Sequence, residues 1–166
     1  MRDAEFIELA ERLTRALITG DFNLYCTVMD LPLRIEPRGG KPYTMHTFEA
    51  LEQDFRLYHQ AIKARGVTDI YRQLRDLSPT ASGLCKATCL IHILDGATLV
   101  VEPFIFVMTL RKTKEGWRFC LIQSPMGHIN WTLGQALISD DGQFSDTGQA
   151  FDPLKPITPP NGGLND

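Results

Sequence analysis

From Gly83 onward the chain reads GLCKATCLIHIL, Asp95-Gly96, ATLVVEPFIFVMTLRKT, Lys114-Glu115-Gly116 and WRFCLIQS. Runs this rich in Val, Ile, Phe and Thr, separated by short turn signals, predict three long antiparallel strands in succession. Asp-Gly between two such runs is a hairpin signal, because both residues tolerate the positive φ of a tight turn. A three-stranded core needs helices or another sheet to cover its apolar face, and the 82 residues before it supply mostly helical patterning.

Asp3 to Thr19 carries Phe6, Leu9, Leu13 and Ala16 or Leu17 at helical spacing, and Gly20 supplies a stop. Asp21 is placed to cap a second, shorter helix with Phe22, Tyr25 and Met29 on one face, ended by Pro32. Leu33 to Glu36 and Pro42 to Met45 read as extended pieces around the turn Arg38-Gly39-Gly40. Thr47 opens the clearest helix, in which Phe48, Leu51, Phe55, Tyr58 and Ile62 make a single apolar stripe up to the stop at Gly66. Val67 to Leu77 reads as a further strand. The expected fold class is α+β, with three N-terminal helices packed on a strongly curved antiparallel sheet.

With 166 residues the chain is most simply one domain, long enough to bury about 70% of its unfolded surface without a disulfide or metal staple. We divide it into a folded unit over residues 1–138 and an extended Gly-, Asp- and Pro-rich tail over 139–166. The acids and glycine of Asp140-Asp141-Gly142 to Asp146 miss the positions of a calcium loop, so that segment reads as a solvated turn. A net charge of -3 with scattered Lys and Arg gives no basic stripe, so nucleic acid is not an expected partner. No apolar run reaches spanning length, and the acidic amphipathic start is neither a signal nor a transit peptide; the expectation is no membrane partner and a cytoplasmic location. Cys26, Cys85, Cys89 and Cys120 match no metal-ribbon spacing and read as buried free thiols. His46, His59, His92 and His128 show no ligand spacing, so neither a metal nor any other cofactor is expected.

The segment LITGDFNLYCTVM, the short Pro- and Gly-containing hairpin after it, the helix opening at Thr47, the Gly66-Val67 restart and the late Glu115-Gly116-Trp117-Arg118-Phe119 strand together resemble the nuclear-transport-factor-2-like (NTF2-like) superfamily. The resemblance spans about Ala4 to Ser124 and implies a cystatin-like α+β roll with a cone-shaped pocket between helices and sheet. The superfamily includes ketosteroid isomerases, scytalone dehydratase, SnoaL-like polyketide cyclases and proteins without activity, so it leaves the chemistry open. In the ketosteroid isomerase pattern, the catalytic tyrosine position falls here at Leu13 and the protonated strand acid at about Phe106. Both oxyanion donors are therefore missing, and only a carboxylate before a proline, Glu36-Pro37, has a counterpart. Without donors for a developing enolate, steroid-isomerase chemistry is not expected.

A two-residue turn at Asp95-Gly96 would pair Ile93 with Thr98, Ile91 with Val100, Cys89 with Glu102, Ala87 with Phe104 and Cys85 with Phe106. One face then carries Cys85, Ala87, Cys89, Ile91, Ile93, Val100, Phe104, Phe106, Met108 and Leu110, with a register that a bulge at Pro103 would displace. The opposite face, with Leu99, Val101, Ile105 and Val107, is too apolar for water, which predicts a homodimer through the convex sheet face, with the tail as the rival cover.

Three functions fit this reading. The first is a protein that binds a small, largely apolar molecule in a pocket whose candidate ligand-binding residues are Tyr25, Met29, Phe55, Tyr58, His59, Phe104, Phe106 and Met108. The second is an isomerase, dehydratase or cyclase of the SnoaL-like kind, for which Glu36 and Glu102 are the candidate catalytic carboxylates. Under the register above, Glu102 points into an apolar cavity, where desolvation would favour its neutral form; the alternative is a solvated strand acid beside Pro103. The third is a non-catalytic dimeric assembly module whose cavity is filled by its own side chains.

Overall fold

The computed structural model describes residues 1–38 and 41–126, with the short strands 136–138 and 144–146. The chain runs α1 (Asp3–Thr19), α2 (Phe22–Val28), β1 (Met29–Arg38), β2 (Tyr43–Met45), α3 (Phe48–Ala64) and β3 (Asp69–Pro79). It continues through β4 (Cys85–Asp95), β5 (Thr98–Leu99), β6 (Phe104–Thr113) and β7 (Gly116–Met126). β8 (Ala136–Ile138) then pairs antiparallel with β9 (Phe144–Asp146). The last strand falls inside the predicted tail, whose remaining residues, and His128 before it, lie outside the described ones.

The helices begin and end for local reasons. Gly20 closes α1 at φ +72°, a left-handed conformation that costs a side-chain-bearing residue free energy. The Asp21 carboxylate accepts from the Leu24 N–H at 2.9 Å, and the Thr47 hydroxyl from the Ala50 N–H at 3.2 Å, each satisfying a donor that the first turn leaves open. The predicted stripe of α3 is buried at Leu51, Phe55 and Ile62, but Phe48 at its head is 58% exposed. The second helix stops at Val28, four residues before Pro32, because Met29 already takes extended angles and starts β1.

Seven strands form one curved mixed sheet in the order β2-β1-β7-β6-β4-β3, with β5 paired to β4. Antiparallel ladders join every neighbouring pair except β1 and β7, which run parallel. The sequence predicted an all-antiparallel sheet. A parallel pair needs a long crossover, and here everything from β2 to β6 provides it, a relation invisible to hairpin signals.

The β4–β6 register also differs from the expected one. Asp95 pairs with Thr98, so the turn residues are Gly96 and Ala97, and Val100–Pro103 then leaves the ladder before Ile91 meets Phe104 and Cys89 meets Phe106. Each displacement is even, so it moves partners without exchanging faces. Cys85, Ala87, Cys89, Ile91, Ile93, Phe104, Phe106, Met108 and Leu110 accordingly all sit in the core beneath the helices. Val101, predicted on the opposite face, is buried with them, because the break at Pro103 releases it from strand alternation. Among the described residues no helix is long and apolar enough to cross a membrane.

Candidate functional site

Between the three helices and the concave face of the sheet lies a cavity of about 110 Å³. One water needs roughly 10–15 Å³ on such a measure, so this space admits several waters or the body of a small molecule. Helix α1 contributes Leu13 and Leu17, and β3 and β4 contribute Ile70, Ile91 and Ile93. Met29, Ile35, Ile62 and Ile122 close other sides, and Phe104, Phe106 and Met108 form part of the sheet wall. Leu13 and Phe106, the two positions at which a ketosteroid isomerase would carry its donors, line this space as purely apolar groups.

Six of the eight predicted ligand contacts line the cavity: Tyr25, Met29, Tyr58, Phe104, Phe106 and Met108. Phe55 and His59 stand outside the lining. The Phe55 ring, 1% exposed, is spent on packing, 4.7 Å from the Tyr25 ring centroid and 5.5 Å from that of Phe22. His59 stacks on Phe55 at 6.3 Å, and its Nδ1 lies 2.7 Å from the Leu17 carbonyl. A carbonyl only accepts, so Nδ1 carries the hydrogen and the imidazole acts as a clamp between α3 and the end of α1. Its Nε2 would stand 2.7 Å from a Cβ added at Gly20, so that glycine is required both by its φ and by this close approach.

Neither predicted catalytic carboxylate is part of the cavity wall. Glu102 is exposed in the Val100–Pro103 break, where the shifted register puts Phe106, not Glu102, opposite Cys89. Glu36 lies on the face of β1 opposite Ile35, where Oε1 accepts from Arg34 Nε and Oε2 from Gln123 Nε2, both at 2.8 Å. Those two hydrogen bonds hold its carboxyl below the ordinary range, as expected of a structural pair at the surface.

The ionisable groups that do line the cavity are Asp54 and Arg72, beside the hydroxyls of Tyr25 and Tyr58. Asp54 is 2% exposed on the inner face of α3, and its Oδ1 accepts from the Tyr43 hydroxyl at 3.0 Å. Burial raises its pKa to about 7, while the Tyr43 hydrogen bond pulls the other way. Burial, followed by the neighbouring Asp54, also holds the Tyr25 and Tyr43 hydroxyls well above their ordinary range, so both remain protonated donors at neutral pH.

Arg72 reaches the cavity from β3. Its Nη1 donates to Thr14 Oγ1 and, at 3.4 Å each, to the carbonyls of Ala10 and Ile70. Its Nε is shielded from solvent and has no hydrogen-bond partner.

Sequence reasoning overlooked both groups, although each left a trace. Asp54 stands three residues after Leu51 and four before Tyr58, inside the apolar stripe of α3, and Arg72 alternates with Ile70 on the inward side of β3. A charged residue in phase with a buried face is the pattern to search for. Among the described residues no group of three or more His, Cys, Asp and Glu side chains gathers as a metal centre, and all four cysteines are free thiols.

No protein-family model matches the sequence, and no curated protein is significantly similar to it. Solved structures share its fold. An NTF2-like protein of unknown function from Shewanella oneidensis superposes with a TM-score of 0.58 at 10% identity, covering 74% of this chain and 98% of its own. A cystatin-like domain of unknown function from Nostoc punctiforme gives 0.55 at 13% identity over 76% of this chain and 80% of its own. A protein of the NTF2-like family from Streptomyces avermitilis, provisionally assigned as a dehydratase, gives 0.51 at 18% identity over 74% and 94%.

Proposed function

With the NTF2-like, cystatin-like fold of this chain as the premise, we propose that it binds a small, largely apolar molecule in the cavity between helices and sheet. The observation that carries this reading is the lining itself: an almost wholly apolar wall into which a few polar groups converge, Asp54, Tyr25, Tyr58 and Arg72. Apolar area supplies affinity in such a site, and the few fixed polar groups set orientation. Toluene and cyclohexanol, titrated against protein carrying ¹³C-labelled Met and Ile methyls, should shift Met29, Met108, Ile35 and Ile91 saturably and leave Met45, buried away from the cavity lining, unmoved. Absence of any saturable shift at the lining methyls would refute the binding reading.

Asp54 favours a second reading, an isomerase- or dehydratase-like enzyme. A carboxyl with a pKa near 7 has both protonation states available at neutral pH, which suits general acid-base work. In that reading Asp54 moves the proton, while Tyr25, a protonated donor in the same lining, is the hydroxyl to meet a carbonyl oxygen. Cyclohexanone in deuterated buffer tests it by NMR. Deuteration next to the carbonyl should be faster with the protein than without it and return to the background rate in Asp54→Asn; equal rates for parent and variant would exclude this role.

The self-association predicted from the sequence belongs with these proposals. Leu90, Val107 and Leu121 are partly exposed on the convex face, and pairing of two such faces would bury them. Light scattering after size exclusion should return a dimer, and a monomer at micromolar concentration would refute it.

A further inference from the structure

Arg72 presents an imbalance that its neighbours correct only in part: the exposed Asp69 carboxylate acts on it through space, but accepts from the Ile70 N–H and forms no ion pair with it. The guanidinium sits where β3 meets α1, and the bonds of Nη1 to Thr14, Ala10 and Ile70 anchor it to a hydroxyl and two backbone carbonyls, all of them neutral. Thr14 has already donated its own hydrogen to the Ile70 carbonyl at 2.8 Å, so its oxygen serves Arg72 purely as an acceptor. The residue as a whole is half-buried, yet Nε is closed off from solvent with nothing to donate to. Arg2, Arg34, Arg56, Arg111 and Arg118 each form an ion pair with a carboxylate, whereas Arg72 meets no described carboxylate within ion-pair distance. Asp54, the other charged group of the lining, already accepts from Tyr43 and is not within ion-pair reach of Arg72.

A guanidinium remains charged at neutral pH even when burial lowers its pKa, here to about 10. A cation partly withdrawn from water with no anion in direct contact is costly to hold, and an anion that meets it with good hydrogen-bond geometry offsets that cost. The planar fork of an arginine is matched bidentately by a carboxylate or a phosphate, and of the two the smaller, singly charged carboxylate suits an almost wholly apolar cavity of about 110 Å³.

From this geometry we infer that the cavity ligand is an organic acid, its carboxylate held by Arg72 and its apolar body lying along Ile91, Phe104 and Met108. The inference rests on the binding reading above and deepens it by naming the head group. Binding forms and breaks no covalent bond.

The test uses two matched pairs, hexanoate with hexanamide and 3-phenylpropanoate with 3-phenylpropanamide, titrated calorimetrically into the full chain at pH 7.5 with the ¹³C-methyl spectra as a second readout. The acids should bind at least tenfold more tightly than their amides, and in Arg72→Met that preference should fall to twofold or less. The comparison between acid and amide on the unaltered protein stands even if the variant does not fold. Arg72→Lys, which keeps the charge and loses the fork, should retain an intermediate preference. Equal binding of acid and amide would overturn the carboxylate and leave the apolar site intact. An acid preference undiminished in Arg72→Met would remove Arg72 as the anchor. If neither compound moves the lining methyls at millimolar concentration, the head group and the binding reading both fall.

Discussion

Replacing Asp54 by asparagine should make the protein more stable, by an amount that depends on pH. A free aspartate titrates near 3.8, and burial on the inner face of α3 holds Asp54 at about 7. At roughly 1.36 kcal/mol per pH unit, ionising it inside the fold costs on the order of 4 kcal/mol more than ionising it in the unfolded chain. Below pH 3.8 both states are protonated and the cost is absent. As the pH rises from there, the unfolded chain releases its proton first, so stability falls until the folded carboxyl has also ionised, and it is level above about 7. Asparagine preserves the shape and can still accept from the Tyr43 hydroxyl, but it has no proton to lose. Urea unfolding of parent and Asp54→Asn from pH 4 to pH 9 should therefore give nearly equal stabilities at pH 4. The difference should then grow steadily to a few kcal/mol in favour of the variant by pH 8. Taking the difference cancels every other titrating group. A gap that stays constant across that range, or an asparagine variant that is the weaker one at pH 8, would show that Asp54 is ionised at little cost and would remove the basis for its proton-transfer role.

Gly20→Ala should destabilise the fold by about 1–2 kcal/mol from its left-handed backbone alone, with a further cost because the methyl would meet the His59 ring. Urea unfolding reads it directly, and a change under roughly 0.5 kcal/mol would show that the ring yields freely. The thiols should separate by exposure: Cys26 is half-buried, whereas Cys85, Cys89 and Cys120 are buried, with burial pushing Cys89 to about 11. Mass spectrometry after alkylation at pH 8 should find one fast site at Cys26 and three that react only on unfolding. Equal rates at Cys26 and Cys89 would contradict the packing.

Much of the architecture was legible because it is local. The span of α1, the Asp21 and Thr47 caps and the hairpin from Cys85 to Thr113 depend on residues a few positions apart, and the inward face of β4 and β6 survived two register displacements because both were even. What escaped depends on distance or on exceptions to pattern. Nothing near Leu33 indicates that its strand will lie parallel to one almost ninety residues later. Hydrophobic periodicity also passes over the polar residue seated in an apolar stripe, as Asp54 and Arg72 are, and these are the groups that give the cavity its chemistry. The sequence pointed instead to Glu36, a carboxylate before a proline, and to Glu102, which the expected hairpin register turned into the cavity. In the folded chain one is spent on Arg34 and Gln123 and the other faces solvent.

The parallel seam between β1 and β7 also sets the order in which a ribosome can complete this protein. Ile35 and its partner Ile122, both cavity-lining, are separated by 87 positions. At roughly 5–20 residues per second the first waits about 4–17 s for the second to be made. Through that interval one edge of β1 has β2 beside it and the other is open, and an open strand edge is a template for pairing with other chains. The cavity acquires its last wall only when this edge is sealed, so a nascent chain halted before Gly116 would be both unable to hold a ligand and the form most prone to aggregate.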